Sequence, residues 1–191
     1  MANKAFSNLV LDDGTKVYTQ EYIQSLRDAD KKHPDKLKIV AQRGGQEDML
    51  AIDADIKICG GSRGGSKSFS SLMEVLKDIK NPDFHAVILR NEKDDLQSLV
   101  TDSYKLFSQF GTYNKSQNDM TWNFDNGGWL KFSYYAGAYQ DFKTRFQGRQ
   151  FAYICIDEGT QCPYKKFKYL LTNNRNAAHI RNRFWITCNP D

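Results

Sequence analysis

Residues 60–68 read Gly-Gly-Ser-Arg-Gly-Gly-Ser-Lys-Ser, a set of residue types whose joint chemistry is the binding of a phosphate chain. Glycines let successive backbone N–H groups curl towards an anion, and a helix opening behind them adds the positive end of its dipole. Lys67 brings a point charge for β- and γ-phosphates, and Ser68 a hydroxyl for Mg²⁺. The pattern G-x-x-x-x-G-K-[ST] fits from Gly61 to Ser68 except at Ser66, where a second glycine is usual; Gly64 and Gly65 keep the loop pliable just before it. A second reactive set lies downstream, where the almost wholly apolar run Phe151–Ile156 ends in Asp157-Glu158. If that strand neighbours the strand before the loop, Asp157 can hold Mg²⁺ through water opposite Ser68. Glu158 is then placed to orient or deprotonate a water attacking the γ-phosphate. A third run, Phe184–Cys188, leads to Asn189, whose side chain either meets that water or phosphate or begins an Asn-Pro turn.

These groups need strands and helices to carry them. Asp55–Cys59 alternates at the strand period, and Phe69, Leu72, Met73, Leu76 and Ile79 recur at helical spacing. The spacing predicts strand 55–59, the loop, helix 67–80, strand 85–89, a helix from about Leu96 to Phe110, strand 151–156, a helix near 163–171 and strand 184–188. Such alternation implies a parallel sheet with helices on its faces. Residues 119–135 interrupt it: two apolar segments flank Asp125-Asn126-Gly127-Gly128, a hairpin signal. Trp122 and Trp129 are expected to pack that hairpin. Residues 1–44 read as an N-terminal arm with one helix at about Thr19–Lys32, and a Gly44-Gly45 break precedes a short helical piece, Gln46–Ala54. The chain stops just after a strand, so a closing element is expected beyond it.

Length and composition bound the rest. With 191 residues, 40% of them hydrophobic, the chain can bury the core of one large domain. Its net charge of +4 is uneven: residues 1–142 carry 18 basic and 20 acidic side chains, residues 143–191 carry 9 and 3. A basic pole of that kind suits a polyanion or simply a solvated face. Cys59, Cys155, Cys162 and Cys188 lack Cys-x-x-Cys spacing and neighbouring histidines, which argues against zinc and for a reducing, intracellular compartment. No signal peptide or membrane-spanning run is visible.

With these segments in hand, the chain resembles the ATPase domain of the large terminase subunit of tailed double-stranded DNA bacteriophages. The likeness covers most of residues 40–191. Gly44-Gly45-Gln46-Glu47-Asp48-Met49-Leu50 is similar to the family's adenine-binding motif, with Gln46 the base-contacting residue. Gly60–Ser68 resembles its arginine-bearing loop, Val87-Ile88-Leu89-Arg90 its next strand, and Trp122–Gly128 its hairpin. Arg145-Phe146-Gln147-Gly148 and Ile154–Glu158 resemble the segment entering its acidic strand, and Thr187-Cys188-Asn189-Pro190 its coupling motif.

The resemblance implies a P-loop NTPase fold of the RecA-like, additional-strand catalytic-glutamate type, with a mainly parallel sheet, flanking helices and a β-hairpin insertion, over residues 45–191. It implies ATP and Mg²⁺ as cofactors, bound by Gln46, Gly61, Gly64, Gly65, Ser66, Lys67 and Ser68 with Ser68 and Asp157 on the metal. Glu158, Lys67, Arg63 and Asn189 are the implied catalytic set, Arg63 acting on γ-phosphate charge and Asn189 as a sensor of hydrolysis. Arg145, Arg149 and Arg175 are further candidates for a finger reaching a neighbouring subunit or for DNA phosphate. The implied partners are double-stranded DNA held weakly and without sequence preference, the portal protein, the small terminase subunit and further copies in a ring on the procapsid. The implied setting is the host cytoplasm. The family's carboxyl-terminal nuclease domain has no counterpart here, so no DNA cleavage is expected of this chain. Two alternatives stand beside this reading: a helicase or recombination motor of the same superfamily, and a module that binds nucleotide only to fix an assembly interface.

Overall fold

A computed structural model describes residues 39, 41–61, 66–114, 116, 119–177 and 179–189. The arm helix expected at 19–32 lies outside them, as do Arg63, Gly64 and Gly65. The chain divides between Asp53 and Ala54 into two units. In the first, helix α1 spans Gly45–Ala51 behind Gly44, whose φ of 85° is the left-handed turn glycine tolerates.

The second unit holds β1 (Ile56–Cys59), α2 (Lys67–Val75), β2 (His85–Arg90), α3 (Leu96–Phe107), β3 (Gly111–Asn114), β4 (Thr121–Phe124), β5 (Trp129–Tyr134), α4 (Tyr139–Phe146), β6 (Tyr153–Ile156), α5 (Tyr164–Asn173) and β7 (Arg183–Thr187). The sheet order is β1-β7-β6-β2-β5-β4-β3. From β1 to β5 every pairing is parallel; β5, β4 and β3 pair antiparallel. β2 and β6 carry continuous apolar runs because both of their faces are covered. Val87, Leu89, Ile154, Ile156 and Phe184 pack with Phe142, Phe146 and Leu170 of α4 and α5. On the opposite face the Tyr153 hydroxyl donates to the Ser71 carbonyl of α2 at 2.9 Å.

Three features differ from the sequence expectation. The helix after the loop ends at Val75, where hydrogen bonds from Leu76, Lys77 and Asp78 reach back three residues and tighten into turns. The β4–β5 hairpin is present, but its second strand is an interior strand of the sheet beside β2, in the register His85↔Trp129 to Arg90↔Tyr134. The helix expected to reach about Phe110 ends at Phe107, and an edge strand, β3, follows it at residues for which the sequence predicted no element. Gly111 begins it, and an added Cβ there would stand 2.2 Å from the Asn123 carbonyl oxygen. Trp122 and Trp129 do pack the hairpin: Trp122 is buried, edge-on to Phe107 with its Nε1 donating to Ser103 at 2.8 Å, and Trp129 stacks on His85 at 4.6 Å.

Among the described residues no helix is long and apolar enough to cross a membrane.

Candidate active site

The register aligns four strand ends. Cys59 of β1 pairs Thr187 of β7, Ile156 of β6 pairs Ile186 of β7, and Leu89 of β2 pairs Ile156. One row along the carboxyl edge therefore holds the start of the phosphate loop, Thr187, Asp157 and Arg90. The condition set from the sequence, that the strand bearing Asp157 neighbours the loop strand, is not met, for β7 lies between them. The two halves meet nonetheless. Lys67 and Ser68 open α2, and Ser68 Oγ donates to Asp157 Oδ1 at 2.9 Å.

Asp157 is fully buried and fully engaged. Its Oδ1 also accepts from Thr187 Oγ1 at 2.5 Å. Its Oδ2 accepts from Arg90 Nε at 2.8 Å, with Arg90 Nη2 2.7 Å away. A buried carboxylate is tolerated when a cation and hydrogen bonds compensate it, and Arg90 is that cation. Thr187 works in two directions, for its Oγ1 also accepts the Glu158 backbone N–H at 3.0 Å. Glu158 sits in the left-handed region at φ 58°, ψ 47°, a conformation rare for non-glycine residues and frequent at functional sites. The Tyr135 hydroxyl pins its carbonyl at 3.0 Å, and burial pushes that phenol's pKa up, so it stays a donor. Gly159 closes the turn because a Cβ there would stand 2.4 Å from Ile186 Cγ2. The Glu158 carboxylate itself is half-exposed, open to a water.

On the loop side, Lys67 is buried and its Nζ donates to the Gly61 carbonyl at 2.9 Å. Gly61 has φ 138°. Ser66, the residue that departs from the motif, has φ 54° and ψ 19°, the left-handed conformation a glycine would take at less cost. Ser66→Gly is therefore expected to stabilise the fold. It relieves ~1–2 kcal/mol of left-handed strain and returns ~0.5–1 kcal/mol to the freer unfolded chain. A denaturant midpoint that rises without a change in slope checks it.

The structure thus brings together Gly61, Ser66, Lys67, Ser68, Asp157 and Glu158. Asn189 follows β7 at the same edge and is half-buried. Gln46 lies on α1 in the first unit, where its Oε1 accepts the Gln42 N–H at 2.8 Å. Arg90 and Thr187 are the residues whose contacts sequence reasoning missed. The available signal was positional: each is a polar residue ending a buried apolar strand, as Asp157 is.

The residues suit a magnesium nucleotide. Ser68 and Asp157 offer hard oxygens 2.9 Å apart. Among the described residues no group of three or more His, Cys, Asp or Glu could hold a metal. A hydroxyl with one carboxylate is how Mg²⁺ is held when phosphates and water complete its shell.

The model of the family described as terminase large subunit, T4likevirus-type, N-terminal matches residues 58–191. Among curated proteins none matches the chain. Solved structures share the fold. The large terminase of a thermophilic bacteriophage superposes with a TM-score of 0.60 at 19% identity, over 76% of this chain and 38% of that one. The large terminase ATPase domain of Thermus phage P74-26 gives 0.58 at 12% identity, over 91% and 70%. The large terminase of bacteriophage HK97 gives 0.58 at 12% identity, over 82% and 34%. The first of these three proteins has also been solved with ADP and with ATP-gamma-S. The chain spans under two fifths of that protein's length.

Proposed function

The chain belongs to the T4likevirus-type terminase large subunit family, and on that premise we propose that it is the ATP-hydrolysing motor domain of a viral DNA-packaging machine. The observation that carries this reading is the meeting of Ser68 and Asp157 across an intervening strand, with Glu158 held beside them. Mg²⁺, held by Ser68 and Asp157, would supply charge neutralisation on the β- and γ-phosphates. Lys67 contributes a buried positive charge to the same oxygens, and Arg63 a second one from within the loop. Gly61, Gly64, Gly65 and Ser66 give the backbone cradle, and Gln46 is proposed for the adenine. Glu158 orients the attacking water and takes its proton, while Thr187 and Tyr135 fix the turn from which it acts. Asn189, after β7, is the proposed sensor. We assign no nuclease step to this chain.

The proposed setting is a homo-oligomeric ring on the procapsid in the host cytoplasm, with portal protein and small terminase subunit as partners. Phosphate release from ATP that requires Mg²⁺ and climbs more than linearly with protein concentration is the expected result. Nucleotide binding with no Mg²⁺-dependent release would favour the assembly-module reading instead.

Duplex DNA is the proposed cargo. The basic charge of residues 143–191 supports it less directly than composition suggested. Lys166 is buried, donating to the Tyr135 and Gly137 carbonyls at 2.5 and 2.6 Å, and Arg183 is buried in an ion network. A cleft of about 310 Å³ bordered by Lys93, Lys131, Arg145 and Arg149 is the better candidate for holding phosphates. Binding to labelled duplex should be weak, indifferent to sequence and steeply salt-dependent. Lys93→Glu with Arg149→Glu should lower the salt slope by ~2, about one for each phosphate no longer neutralised. An unchanged slope would place the grip elsewhere.

A further inference from the structure

Every N–H direction of Arg90 is committed. Nε and Nη2 hold Asp157 Oδ2 at 2.8 and 2.7 Å, and Nη2 lies 3.4 Å from Ser68 Oγ. Nη1 donates to the Asp95 carbonyl at 2.7 Å and to Ser98 Oγ at 3.0 Å, both at the start of α3. The same Nη2 is 4.0 Å from Glu158 Oε1. Besides its bonds to Asp95 and Ser98, the guanidinium therefore lies against three groups of the proposed site: the hydroxyl and the carboxylate read above as metal ligands, and the proposed base. Nε and Nη2 both fall on Oδ2 while the Ser68 and Thr187 hydroxyls take Oδ1, so every side of the carboxylate is occupied and a divalent cation must displace one of these donors. Two cations cannot share one buried carboxylate at such distances without strong mutual repulsion.

We propose that Arg90 and the divalent cation are exchange partners on Asp157 and Ser68, so that loading a metal nucleotide requires the guanidinium to leave the carboxylate. This rests on the nucleotide-site reading above. The Nη1 bonds to Asp95 and Ser98 remain as a tether when Nε and Nη2 let go, so the displaced charge stays beside Glu158. Arg90 is thus a positioning residue with two consequences. It compensates the buried Asp157 charge when no metal does, and it discourages a metal from binding without nucleotide phosphates to help displace it.

The test uses Mn²⁺ as the probe, counted by loss of the free-ion electron paramagnetic resonance signal, on the full chain with and without ADP. Arg90→Gln is expected to raise nucleotide-free Mn²⁺ affinity at least tenfold over the parent chain, and to shrink the gain in affinity that ADP gives. Arg90→Lys keeps a buried charge but loses the fork. It is expected to fall between the two and serves if the glutamine variant folds poorly. Mn²⁺ affinity in either folded variant no tighter than in the parent chain, without nucleotide, overturns the exchange. The site reading fails separately, if Asp157→Asn leaves Mn²⁺ binding in the presence of ADP unchanged.

Discussion

Replacing Glu158 by glutamine should lower ATP turnover by ~10²–10⁴-fold, the usual worth of a positioned general base, while nucleotide affinity stays within a few-fold of the parent chain. The geometry is the reason for expecting so clean a division. Glu158 is held through its backbone: N–H to Thr187, carbonyl to the Tyr135 hydroxyl, with Gly159 seated against Ile186. Its carboxylate makes no hydrogen bond among the described residues that the turn depends on, and Arg90, its ion-pair partner among them, stands at 4.0 Å. The amide keeps the size and can still orient a water, but it cannot accept the proton. Lys67, Ser68 and Asp157 are untouched, so the phosphates and metal keep their ligands. Single-turnover phosphate release and a separate binding isotherm for ATP decide the matter. Equal loss of rate and affinity would make Glu158 a structural residue of the turn, and the site would then lack its base.

The fold and the candidate site were legible to different depths. Strand–loop–helix at 56–75 and the acidic strand end at Asp157-Glu158 could be read because local chemistry and local pattern agree there: glycines, a Lys-Ser pair opening an amphipathic helix, an apolar run ending in carboxylates. The insertion of β7 between β1 and β6 could not be read from periodicity, since strand order is set by crossovers and not by neighbours in sequence. The hairpin's turn was visible in Asn126-Gly127, but the partner of β5 was not. Its Leu130 and Phe132 are buried because β2 lies beside it, a long-range pairing. β3 went unpredicted because Gly111-Thr112-Tyr113-Asn114 is short and only half-buried at the sheet edge. Arg90 was named only within a matched strand and its role was not read, the most consequential gap. A strand read as His85–Leu89 stops one residue before the cation that compensates Asp157. Charge counting by segment misled in a similar way, because Lys166 and Arg183 spend their charge inside the protein.

Glu74→Gln should cost ~3–5 kcal/mol of stability, the range found when one member of a buried ion pair is removed and its partners stay charged. Glu74, on α2 and wholly buried, faces Arg183 Nε at 2.9 Å, Lys77 Nζ at 2.8 Å and Lys57 Nζ at 3.6 Å. Asp78 takes the other side of Arg183 at 2.6 Å. The network ties the helix that opens with Lys67 and Ser68 to β1 and to the start of β7. Glutamine would take the shared carboxylate from Lys57, Lys77 and Arg183, and Asp78 would remain beside Arg183. Lys57→Met should behave oppositely and be nearly neutral at pH 7 or mildly stabilising. Burial lowers the Lys57 pKa to about 8 despite the pull of Glu74, so its charge is carried in the folded state against its preference. Below about pH 8 both states hold the proton and the folded state bears the full desolvation cost. Between there and the unfolded value near ~10.4, the unfolded chain binds more protons, so the parent chain gains stability as pH rises. Lys57→Met should abolish that rise. Denaturant midpoints for both variants at pH 7 and pH 9.5 provide the measurement. If Glu74→Gln proves as mild as Lys57→Met, the buried charges of α2 and β7 are not bound to one another through this carboxylate, and some other contact holds the loop helix to its strands.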